Sequence, residues 1–133
     1  MKYMLMMHAP GKGWEKAGIA TWPMDDIKAH CAFMHRLNKD LREAGELVGA
    51  EGLASPEHAK IVKSDKNGDP VVTDGPFAEA KEFLAGYWIV DVETPERAYE
   101  IAARTSSAPG QGGVPLHIPI EVREVMSAPP VEP

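Results

Sequence analysis

The run from Phe83 to Val92 leaves this chain few ways to fold. Laid out as a strand, it puts Leu84, Trp88, Val90 and Val92 on one face and Phe83, Ala85, Tyr87 and Ile89 on the other. A sheet with one wet face alternates apolar with polar residues, and this stretch does not. The opening segment behaves alike, with Tyr3, Leu5 and Met7 set against Met4 and Met6. Both faces of the sheet that holds these strands must therefore be covered.

The elements around these strands supply one cover only. Pro23 opens a helix that runs to about Ala44, with Asp25 and Asp26 at its positive end. Ile27, Cys31, Met34, Leu37, Leu41 and Ala44 form its apolar stripe, and Gly45 stops it. A strand follows from Leu47 to about Leu53. Lys60 to Ser64 and Pro70 to Thr73 flank Asn67-Gly68, a strong hairpin signal. Thr94 caps, and Pro95 starts, a second helix reaching about Arg104. The last strand spans Leu116 to Val125, with Leu116, Ile118, Ile120 and Val122 facing the helices and His117, Pro119, Glu121, Arg123 and Val125 opposite them.

The order is β-α-β-β-α-β, a ferredoxin-like α+β arrangement with an inserted β-hairpin. Its helices lie on one face of the sheet. The same face of a second copy is the expected cover for the other, giving a homodimeric α+β barrel. In a monomer the loop carrying Trp14 and Trp22 would have to fold over that face with the hairpin. Residues 1–126 make a single domain, and 127–133 form a Pro-rich tail.

A formal charge of −6 and a pI near 5.3 speak against nucleic acid and against an anionic membrane surface as partners. A lone cysteine, Cys31, fits a reducing compartment, and no segment reads as a leader or a membrane span, so a cytoplasmic location is expected. No phosphate-binding GxxxxGK loop, CxxC pair or HExxH is present, and neither cofactor nor metal is expected. Gly110-Gln111-Gly112-Gly113 resembles a phosphate loop in composition alone, because it follows a helix rather than a strand.

The histidines divide by position. His30 and His35 are five apart, about 140° around a helix, and cannot chelate one ion. His30 is one turn from Asp26, His35 borders the apolar stripe, and His58 belongs to a solvated loop. His8 shares a strand face with Met4 and Met6, at the strand's end, where an internal cleft would lie. Glu121 and Arg123 share a face of the last strand and can pair with each other, with a mate, or with a ligand. The run Asp74 to Glu82 is the most informative, because Gly75 and Pro76 force a tight turn that holds the Asp74 carboxylate rigidly. Such a carboxylate either accepts backbone N–H groups of its own turn or serves as a general base.

Asp74-Gly75-Pro76-Phe77-Ala78-Glu79-Ala80-Lys81-Glu82 resembles the signature of the DGPF proteins within the YCII-related domains. The likeness extends through Ala44 to Leu53, Gly86 to Val92 and Ile120 to Arg123. The resemblance implies a ferredoxin-like subunit that dimerises into an α+β barrel, and a histidine–aspartate pair in a cleft. Asp74 matches the aspartate. Counting back from Gly45 puts Met34 at the histidine position, with His35 beside it. The site expected from these readings has Asp74, His8 and His35 as catalytic candidates and Glu51, Gly75, Pro76, Phe77, Lys81 and Glu82 as ligand-binding candidates. The expected function is a cofactor-independent lyase or isomerase acting on a small organic acid or phenol. The alternative is a non-catalytic binding or regulatory module, since some relatives are linked to extracytoplasmic-function sigma factors.

Overall fold

The computed structural model describes residues 1–10, 19–77 and 81–126. The loop with Trp14, the stretch Ala78-Glu79-Ala80 and the tail from Ser127 lie outside the described residues. The elements are β1 (Lys2–Pro10), α1 (Met24–Glu43), β2 (Leu47–Gly52), β3 (Lys60–Ser64), β4 (Pro70–Asp74), β5 (Glu82–Asp91), α2 (Pro95–Ser106) and β6 (Ile120–Glu124). A four-stranded sheet runs in the order β2-β5-β1-β6 with every pair antiparallel, and β3-β4 is a sheet of its own. This is the ferredoxin-like α+β arrangement with the hairpin inserted between β2 and β5.

Tyr3, Leu5, Trp88, Val90 and Val92 pack against Leu37 and Leu41 of α1 and Ala98, Ile101 and Ala102 of α2. The Trp88 indole donates to Asn38 Oδ1 at 2.9 Å, so its one polar atom is satisfied at the helix–sheet boundary. Thr94 caps α2 as expected, its Oγ1 accepting from the Arg97 N–H at 3.2 Å, and Gly45 takes φ +73° beyond α1.

Three expectations need correction. Cys31 and Ala44 are exposed, and Phe33 joins Met34 against the core instead. Cys31 sits about 120° around α1 from Leu37, outside the arc that meets the sheet, while Ala44 is already the cap. His30 and Asp26 share no hydrogen bond or ion pair: His30 bonds the Pro109 carbonyl at 3.0 Å and meets Trp22 edge-to-face, while Asp26 accepts from the Gly112 N–H. The glycine loop is thus clasped to the start of α1. The last strand begins at Ile120 rather than Leu116, because His117 takes φ +51° and Pro119 has no N–H to give a ladder. Ile120 and Val122 still pack on the core side.

Two register shifts shape the sheet. Val48 is an extra residue on β2, between the pairs Leu47–Val90 and Gly49–Ile89. Ala85 is extra on β5, where Met7 pairs with Gly86 but His8 with Leu84. Leu84 therefore comes opposite His8 instead of continuing the Trp88 face. Next to this bulge a Cβ on Gly86 would stand 3.1 Å from the Glu51 carbonyl oxygen. Gly86→Ala is expected to cost about 1–2 kcal/mol, read as a lower urea midpoint with an unchanged slope. A midpoint equal to wild type would show that β2 yields freely there.

A groove at the end of the central strands

The register decides which polar groups meet on the helix-free face. Across the sheet, Glu51, Tyr87, Met6 and Glu121 form one row, and Gly49, Ile89, Met4 and Arg123 the next. His8 lies two residues beyond Met6 on the same face and reaches across to β6. Its Nε2 is 3.0 Å from Glu121 Oε1, with the imidazole 28% exposed. The break at His117 and Pro119 brings Ile118 and Pro119 alongside, and together with His8, Glu82, Ile120 and Glu121 they line a groove of about 560 Å³.

Of the residues expected at a site, His8 and Glu82 come together here. Glu51 is on the same face but at the far strand, beside Tyr87. Asp74 does not line the groove: it closes the hairpin opposite Lys60, forms an ion pair with that ammonium, and is 88% exposed. Among the described residues neither a turn N–H nor a histidine takes up its carboxylate, whose partner is the cross-strand Lys60 ammonium. Gly75 and Pro76 are part-buried, the Gly75 N–H donating to the Ala59 carbonyl, and Phe77 is 70% exposed. Lys81 is exposed, and so is His35, on α1. Glu121 is the residue that single-position reasoning left out of the site, although its shared strand face with His8 was a usable signal.

Over residues 1–115 the chain matches the family model of the YCII-related domain. This chain is a YCII-related protein. It is also 28% identical over 89 residues to an uncharacterized protein of Rhizobium meliloti (strain 1021), an overlap covering 67% of this chain and 71% of that one. The resemblance read from the Asp74–Glu82 run is thereby shown at the level of the family. Among the described residues of this YCII-related protein, no helix is long and apolar enough to cross a membrane.

The groove's chemistry follows from the His8–Glu121 bond. An ionised carboxylate can only accept, so Nε2 donates the proton in this bond. Among the described residues no group of three or more His, Cys, Asp or Glu is placed to hold a metal ion. A second depression, of about 460 Å³, lies beside Glu46, Asp91, Glu93 and Arg97. There Arg97 donates two bonds of 2.9 Å to the Glu46 carboxylate, joining α2 to the start of β2. That hydrogen-bonded guanidinium holds the Glu46 carboxyl below its usual range, a structural contact in the YCII-related fold.

Proposed function

We propose that this YCII-related protein is a cofactor-independent small-molecule enzyme of lyase or isomerase type, working as a cytoplasmic homodimer. One observation carries the reading: the 3.0 Å His8–Glu121 bond on a groove of about 560 Å³. Met4, Tyr87 and Ile89, only part-buried on the helix-free face, support packing against the same face of a second copy, which would wall the groove from water. His8 then takes a proton from carbon and returns it to another substrate carbon in an isomerisation, or to the departing group as the carbon–leaving-group bond breaks in an elimination. Asp74 becomes a second base only once its pair with Lys60 opens.

The test is solvent-deuterium incorporation. A panel of small amines, ketones, phenols and carboxylic acids is incubated with the protein in heavy water and followed by NMR. Incorporation catalysed by wild type should fall at least about 100-fold in His8→Gln, and little in Asp74→Asn. Absence of incorporation across the panel, or equal rates in His8→Gln, would overturn the proposal. Sedimentation as a lone 14.5 kDa species at high concentration would remove its dimeric part.

A second reading, a non-catalytic regulatory module that docks a protein such as an extracytoplasmic-function sigma factor, is favoured by the hairpin. Val62, Val71, Val72 and Phe77 are 47–70% exposed there, and a two-stranded sheet alone is marginally stable. Under it, Val62→Ser with Val72→Ser would abolish a sigma-factor complex that His8→Gln leaves intact.

A further inference from the structure

The groove beside His8 carries a definite charge. Glu82 and Glu121 contribute two carboxylates, His8 is the third polar side chain, and Ile118, Pro119 and Ile120 complete the lining among the described residues. Among the described residues no Lys or Arg is part of that lining. Arg123 shares the face but lies one row away, opposite Met4, and Lys81, the neighbour of Glu82 in the chain, is not part of the lining either. Glu121 is engaged through Oε1 with His8, and the Glu82 carboxylate makes no hydrogen bond or ion pair with a described residue. Carboxylates only accept hydrogen bonds, so both look for donors.

We propose that this groove, taken as the ligand site argued above, receives a small organic cation: a protonated primary amine on an apolar ring or short chain. The ammonium has three donors and one positive charge to offer Glu82 and Glu121, and the apolar body rests on Ile118 and Pro119. An organic acid, which with phenols makes up the substrate class expected from the sequence, would instead bring a third negative charge to two already there. The overall charge of −6 works in the same direction, raising the local concentration of cations over anions.

Benzylamine and benzoate test this with one ring and opposite charges. Each is titrated into the full-length protein near neutral pH while the His8 ring signals are followed by NMR. Benzylammonium should shift those signals saturably and benzoate should not. Glu82→Gln and Glu121→Gln should each raise its Kd about tenfold, with circular dichroism confirming that both variants fold. Raised salt should weaken it further. If benzoate moves His8 and benzylammonium does not, or if neither Gln variant changes the Kd, the cation assignment is overturned while the groove stands as a ligand site. If neither probe moves His8, the ligand site fails and the assignment with it.

Discussion

Leu5→Ala should lower the stability of this protein by about 3–4 kcal/mol and its melting midpoint by roughly 10 °C. Leu5 is fully buried on β1, one of the two inner strands, with Trp88 beside it on β5 and Val122 on β6. Removing its isobutyl group costs the transfer of that group from water and the cavity left behind. The neighbours cannot close in, because Leu5 is flanked on both sides by hydrogen-bonded strands and faced by helices that Leu37, Leu41 and Ile101 hold at fixed height. Leu5→Met, which conserves volume, should cost under about 1.5 kcal/mol, and Val62→Ala, at a position 60% exposed, under about 0.5 kcal/mol. Urea denaturation of the three variants checks the ranking. A Leu5→Ala cost near that of Val62→Ala would mean that the helix–sheet interface is not the core.

Replacing Arg97 with Met should remove about 1–2 kcal/mol near neutral pH and change how stability responds to acid. Arg97 forms a two-bond pair with Glu46 and a further bond of 3.0 Å to Glu100. The Glu46 side chain is only 16% exposed, so losing its partner leaves a carboxylate short of solvent. The loss stays modest because Arg97 itself is 41% exposed and partly screened by water. The pH dependence follows from the direction of the Glu46 shift. Its carboxyl is held lower in the folded chain than in the unfolded one, so the pair contributes fully above the unfolded value of about 4.3 and fades as pH falls through the folded one. Arg97 is raised by the same bonds, and its contribution would be lost only at strongly alkaline pH. Wild type should therefore lose stability below about pH 4.3 more steeply than Arg97→Met. Parallel acid limbs in thermal melts would show that the pair contributes nothing to the acid response.

The helices and strands were legible where one local signal decided them. Pro23 and Gly45 bracket α1, Thr94-Pro95 opens α2, and Asn67-Gly68 turns the hairpin, each through backbone conformation that needs no distant partner. Elsewhere a non-local contact chose between options that local signals leave open. Asp74 was rigidly placed by its turn, but the β3–β4 register set Lys60 opposite it, and a cross-strand charge pair took a carboxylate that turn logic had left open. His30 had Asp26 one turn away, yet the loop after α2 brought in the Pro109 carbonyl and the glycine N–H that separated them.

The groove shows the same division. Alternation along single strands put His8 on one face of β1 and Glu121 on one face of the last strand, but alternation has no means of saying which residues of two strands stand abreast. That information lies in the ladder, where Met6 meets Glu121, and in the extra residue Ala85, which shifts β5 against β1. The amino-acid order by itself determined the elements, their sequence and the two-sided apolar sheet, because these follow from periodicity and from residues with restricted backbones. Only the tertiary structure decided that His8 meets Glu121 beside Glu82 and that Asp74 meets Lys60, because strand register is settled by packing across the whole sheet rather than by any segment of it.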